Sequence, residues 1–93
     1  MTTKDEKDWM DAIVRLGCIV CANEGNFTPA VVHHLLKGSR RIGHLHTIPL
    51  CPTHHSSGLY NKQVISRHPW KRAWEQRYGT EAELLEQVRR LIA

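Results

Sequence analysis

The chain has 93 residues, of which 41% are hydrophobic and 24% charged, and its formal net charge is +4. That length accommodates one small domain, and the composition excludes collagen-like, low-complexity and wholly disordered chains. No apolar run is long enough to span a bilayer, and the polar start Met1–Glu6 lacks a signal peptide's apolar core, so the expectation is a cytoplasmic protein with no membrane partner.

Thr3 and Glu6 form a Thr-x-x-Glu capping box, and Trp9, Ile13 and Leu16 recur at helical spacing, with Met10 and Val14 widening the stripe. These features predict an amphipathic helix that Gly17 can end. Cys18-Ile19-Val20-Cys21 follows, then a polar loop from Ala22 to Thr28. Val31 and Val32 predict a short strand that ends in His33 and His34. Lys37 to Gly43 reads as a glycine-punctuated basic loop. His44-Leu45-His46-Thr47-Ile48 alternates as a second strand would, with Pro49 ending it, and the two strands would form an antiparallel hairpin. Cys51-Pro52-Thr53-His54-His55 reads as the start of a short helix, because proline is tolerated at the first helical position. Pro69 is expected to open a helix through Tyr78 with Trp70, Ala73 and Trp74 on one side. Thr80 and Glu83 repeat the capping box ahead of a last amphipathic helix carrying Leu84, Leu85, Val88, Leu91 and Ile92.

Three cysteines cannot all pair within one chain, and a reducing cytosol would not keep a pair oxidised, so metal ligation explains them better. Cys18 and Cys21 form a Cys-x-x-Cys knuckle, and Cys51 with His54 forms a Cys-x-x-His half. Two such halves supply the four donors of a closed, tetrahedral structural zinc site. In so small a domain, zinc binding energy of roughly 10 kcal/mol or more is folding energy.

Six histidines fall within residues 33–55. Adjacent side chains on a helix diverge by about 100°, so His54 and His55 cannot easily serve one ion. If His54 serves the zinc, His55 faces elsewhere, toward the His33-His34 pair. The cluster therefore splits into a structural set (Cys18, Cys21, Cys51 and His54) and a chemical set (His33, His34, His46 and His55). The alternative is a zinc-stabilised nucleic-acid-binding module whose histidines make contacts without cleavage.

Val31-Val32-His33-His34-Leu35, a loop, and then His46-Thr47-Ile48-Pro49-Leu50-Cys51-Pro52-Thr53-His54-His55 resemble the HNH (ββα-metal, His-Me finger) endonucleases. Gly17-Cys18-Ile19-Val20-Cys21, Pro29-Ala30, the His54-His55 pair and Tyr78-Gly79-Thr80 are most similar to the recombination-enhancement (Ref) nucleases of temperate phages and prophages. The resemblance implies an α+β fold in a single domain spanning residues 1–93. It would comprise an N-terminal helix (1–17), a zinc knuckle with a ββα-metal finger (18–58), and C-terminal helices (59–93). It also implies that His33 and His55 bind a catalytic divalent cation and that His34 is the general base. His46 stands where the family carries its central Asn, with His44 a second candidate for that work on the same strand face. His33 and His34 could exchange roles, and His68 is left on the surface outside the cluster.

The implied chemistry is hydrolysis of a DNA phosphodiester, with Mg²⁺ or Mn²⁺ as catalytic ion. Imidazole donors also suit Zn²⁺ or Ni²⁺. The family further implies action with the RecA filament in a bacterial or phage-infected cell. Residues 25–78 carry eight basic side chains against the single acid Glu75, which suits a polyanion partner. Lys37, Arg40, Arg41, His44, Lys62, Arg67, Lys71 and Arg72 are the expected contacts to the DNA backbone. Backbone contacts carry no base information, so little sequence preference is expected.

Overall fold

The computed structural model describes residues 2–92. Its elements in chain order are α1 (Lys4–Leu16), α2 (Ile19–Asn23), β1 (Val31–His34), β2 (Leu36–Lys37), β3 (Arg40–Arg41), β4 (Thr47–Leu50), α3 (Pro52–His55), α4 (Arg67–Tyr78) and α5 (Glu81–Ile92). The fold is α+β. β1 and β4 pair antiparallel in the register Val31↔Leu50, Val32↔Pro49, His33↔Ile48 and His34↔Thr47, and β2 and β3 form a second small ladder. Among the described residues, no helix is long and apolar enough to cross a membrane.

Both capping boxes form. The Glu6 amide donates to Thr3 Oγ1 at 3.2 Å and the Thr3 amide to Glu6 Oε1 at 2.9 Å. Thr80 and Glu83 repeat the exchange at the start of α5, at 3.1 and 3.0 Å. Each box satisfies two backbone donors that a helix start leaves free. Gly17 ends α1 with φ +84° and ψ 178°, a region that side chains disfavour, and a Cβ there would meet the Phe27 ring at 2.7 Å. This turn lets the Cys18 amide donate to the Thr28 carbonyl at 3.0 Å and fixes where the first cysteine starts.

The core lies between the β1–β4 hairpin and the helices packed on it, α1, α2 and α5. Ile13, Ile19, Ile48, Leu50, Trp74 and Val88 are fully buried there. Ile48 and Leu50 stand on the same face of β4, as strand alternation requires. Trp9 Nε1 donates to Thr47 Oγ1 at 2.9 Å, and that hydroxyl donates to the His44 carbonyl at 3.0 Å, so α1 is tied to the turn that precedes β4.

Several local expectations are corrected. The segment after Cys18 coils into α2, which turns Cys18 and Cys21 toward one point, so the loop expected from Ala22 begins two residues into it. The basic segment folds as the β2–β3 hairpin around Gly38-Ser39, where Gly38 has φ +65°. The second strand runs from Thr47 to Leu50 instead of stopping at Pro49; a strand of a two-stranded ladder has one free edge, where a missing N–H costs nothing. His44 and His46 therefore lie in the turn before β4, and strand alternation does not relate them. α4 has non-helical backbone at His68 and Trp70, so Trp70 does not share a side with Ala73 and Trp74. Instead it is exposed, packs edge-on against Tyr60, and donates to the Gly58 carbonyl at 3.2 Å.

Candidate metal centres and the histidine cleft

Two groups of metal-ligating side chains form among the described residues. One is Cys18, Cys21, Cys51 and His54, all four buried. Cys18 caps α2 and Cys51 caps α3, so two short helix starts present the four donors. His54 Nδ1 lies 3.7 Å from Cys18 Sγ, 3.5 Å from Cys21 Sγ and 3.2 Å from Cys51 Sγ; Cys21 Sγ and Cys51 Sγ are 3.9 Å apart. A tetrahedral ion with metal–sulfur bonds of about 2.3 Å and metal–nitrogen bonds of about 2.0 Å places its ligand atoms about 3.5–3.8 Å apart. The donor set therefore fits one such ion. Burial pushes the Cys18 thiol up to about 12, so a thiolate at that position calls for the positive charge a metal supplies. His54 Nε2 faces away, 3.9 Å from Glu24 Oε1.

The second group is His33, His55 and His68, whose ligand atoms all lie within 4.8 Å of one another. His33 is the third residue of β1, His55 is the last residue of α3, and His68 sits in the irregular first turn of α4. His33 Nδ1 and His55 Nε2 are 3.1 Å apart. Two nitrogens bound at about 2.1 Å to one cation stand roughly 3.0–3.4 Å apart, depending on the bond angle, so this pair also fits a shared ion. Burial lowers the pKa of His55, and the Arg67 guanidinium and any proton taken up by His33 or His68 lower it further, which favours the neutral, ligating imidazole.

His68 is a correction. It is exposed, as expected, but it does not lie outside the cluster: its ring meets those of His33 and His55 with centroids 6.1 and 5.3 Å away. Ser66 brings it there. Its buried hydroxyl donates to the Thr53 carbonyl at 2.5 Å and accepts from the Leu59 amide at 3.0 Å, tying the start of α4 to α3.

His34 stands beside the group, half-buried, with His44 Nδ1 3.0 Å from its Nε2. Burial, then Arg41, His44 and His33, hold its pKa below the ordinary imidazole value. The residue that meets His34 is thus His44; His46 contributes its backbone, accepting from the Leu35 amide at 2.9 Å. A cleft of about 220 Å³ is lined by Val32, His33, His34, Leu36, Arg41, His55 and His68, so these four imidazoles open onto one space.

Lys37, Arg40 and Arg41 stand exposed on the β2–β3 hairpin, and Lys62, Lys71 and Arg72 are also exposed, the last two on α4. Arg67, expected on the DNA backbone, is instead 6% exposed, with its Nε 3.3 Å from Glu81 Oε2 and its Nη2 3.4 Å from Glu81 Oε1. A side chain buried in an ion pair is not free to meet phosphate. Glu81 carries no signal of its role in the sequence. It looks like one acid among several in the polar face of α5, and only the packing of α5 brings it to His33 Nε2, which it contacts directly. Burial alone would raise the Glu81 carboxyl, but hydrogen bonds from His33 and Arg67, together with the charge of the Arg67 guanidinium, hold it at about 2.

A family model described as recombination enhancement, RecA-dependent nuclease, matches residues 2–93. No curated protein and no solved structure matches the chain.

Proposed function

Since the chain belongs to the recombination-enhancement, RecA-dependent nuclease family, we propose that it is an HNH-type, metal-dependent DNA endonuclease. It hydrolyses phosphodiester bonds with little sequence preference and is directed to its target by a RecA filament. The observation that carries this reading is the 3.1 Å approach of His33 Nδ1 to His55 Nε2 in the same cleft as His34. A nuclease of this kind needs a cation site open to phosphate next to a proton acceptor, and three imidazoles leave such a site open.

His33 and His55, with His68 beside them, would hold Mg²⁺ or Mn²⁺, with Zn²⁺ or Ni²⁺ as softer alternatives. When bound, the cation supplies charge neutralisation at the scissile phosphate and at the departing oxygen. His34 accepts the proton of the attacking water. His44 occupies its Nε2, so when Nε2–H donates to His44, Nδ1 carries the lone pair that takes this proton. His44 rather than His46 orients the base. Cys18, Cys21, Cys51 and His54 would hold zinc, which would fix α3 and so His55, whose Nε2 lies against His33 of β1.

Arg41 lines the cleft and, with Lys37 and Arg40 from the same hairpin, would bind the DNA backbone, with Lys62, Lys71 and Arg72 extending the track. The test is incubation of the purified protein with supercoiled plasmid and with a RecA-paired duplex, each in Mg²⁺ and in EDTA. Cleavage of at least one substrate in Mg²⁺ and none in EDTA is expected. Intact DNA under every condition would overturn the reading.

A further inference from the structure

We propose that Glu81, braced by Arg67, is the positioning residue of the histidine cluster: its carboxylate accepts the Nε2–H of His33 and so turns the Nδ1 lone pair toward the space shared with His55 and His68. The inference rests on the cation reading of that cluster. A neutral imidazole carries one N–H and one lone pair, and whichever partner sits at one nitrogen decides the state of the other. Glu81 Oε2 sits at His33 Nε2, whereas His33 Nδ1 faces His55 Nε2 at 3.1 Å. An ionised carboxylate can only accept, so the proton belongs on Nε2 and the lone pair on the side of the cleft.

The arrangement is built for this orientation. His33, Arg67 and Glu81 are 4%, 6% and 6% exposed, so three polar side chains have been taken out of water together. Glu81 opens α5, and its amide donates to Glu75 Oε2 at 3.0 Å, which fixes the carboxylate's stem. Arg67 reaches both carboxylate oxygens, at 3.3 and 3.4 Å, and Lys71 Nζ lies 3.6 Å from Oε1. The same guanidinium places Nη1 3.1 Å from His68 Nδ1 and 3.2 Å from its Nε2, so one buried ion pair touches two of the three imidazoles. Packed apolar side chains generally stabilise a fold as well as a buried ion pair does. The pair's position against the cluster therefore points to orientation as its work. Carboxylates behind metal-ligating histidines act in this way, and their removal costs about 10–100-fold in metal affinity.

The test uses the full chain loaded with one zinc, whose thiolate-rich site Mn²⁺ does not displace. Ring ¹⁵N shifts of His33 are recorded without added cation, and Mn²⁺ binding is then measured by electron paramagnetic resonance. The wild type should show His33 protonated on Nε2 alone. The double variant Arg67→Met with Glu81→Leu removes the pair without stranding either charge; it should keep its melting temperature, lose the fixed tautomer, and bind Mn²⁺ about 10–100-fold more weakly. A wild-type ring protonated on Nδ1 or on both nitrogens would overturn the proposal, as would a folded double variant that binds Mn²⁺ within twofold of wild type. Should the double variant not fold, the wild-type ring shifts decide: protonation on Nε2 alone supports the proposal, and any other state refutes it. A wild type that binds no Mn²⁺ would instead refute the cation reading of the cluster, and the ring shifts would still decide what Glu81 does.

Discussion

His54 and His55 are neighbours on α3 that serve different centres: His54 Nδ1 lies 3.2 Å from Cys51 Sγ, whereas His55 Nε2 lies 3.1 Å from His33 Nδ1. The helical turn between them separates a buried four-donor group from a cleft open to solvent. One short helix thus contributes a donor to each group.

The division predicts opposite outcomes for ligand substitutions. Cys21→Ser should leave the chain without bound zinc and unfolded at ambient temperature, because metal binding of roughly 10 kcal/mol or more contributes to folding. His55→Ala should retain one zinc per chain and melt within a few degrees of the wild type. Metal analysis alongside thermal melting followed by circular dichroism checks both. Identical behaviour of the two variants would mean that the two groups are not separate.

His34→Ala should lower plasmid cleavage by about 10²–10⁴-fold, the usual worth of a positioned general base, with melting temperature and DNA affinity unchanged. His44→Ala should reduce cleavage less than His34→Ala but more than His46→Ala, since His44 is the residue at His34 Nε2. A larger reduction at His46 than at His44 would return the orienting role to His46.

Alanine at Lys37, Arg40 or Arg41 should weaken DNA binding equally across sequences, and each phosphate left without its cationic side chain should reduce the salt slope by about 0.9. Arg67→Ala should act differently. It leaves the buried Glu81 carboxylate only the His33 N–H and the half-exposed Lys71, so the expected cost is about 3 kcal/mol of stability, read by urea unfolding. A stable Arg67→Ala protein with a reduced salt slope would put Arg67 back on the DNA.

Gly17→Ala tests how the first cysteine is placed. The backbone there, at φ +84° and ψ 178°, is nearly closed to residues with a side chain, and the Phe27 ring and Thr28 carbonyl stand 2.7 and 3.0 Å from the added Cβ. Phe27 is exposed and can swing away, so the cost that remains is backbone strain of about 1–3 kcal/mol, measured by urea unfolding. A substitution that leaves stability unchanged would show that the turn can relax.

What the sequence determined by itself was everything carried by short spacings. Thr3 with Glu6 and Thr80 with Glu83 mark their helix starts, because a capping box is complete within four residues. The two half-sites at Cys18-x-x-Cys21 and Cys51-x-x-His54 foretell one donor group, because two intervening residues leave few geometries open. The divergence of His54 and His55 follows from the angle between adjacent helical positions. What only the tertiary structure decided involves partners far apart in the chain. Glu81 meets His33 across 48 residues, His68 reaches the cluster because Ser66 ties α4 to α3, and Arg67 turns inward to Glu81 rather than outward to solvent. No local pattern marks these residues, since a charged or imidazole side chain takes its role from whatever the folded chain places beside it.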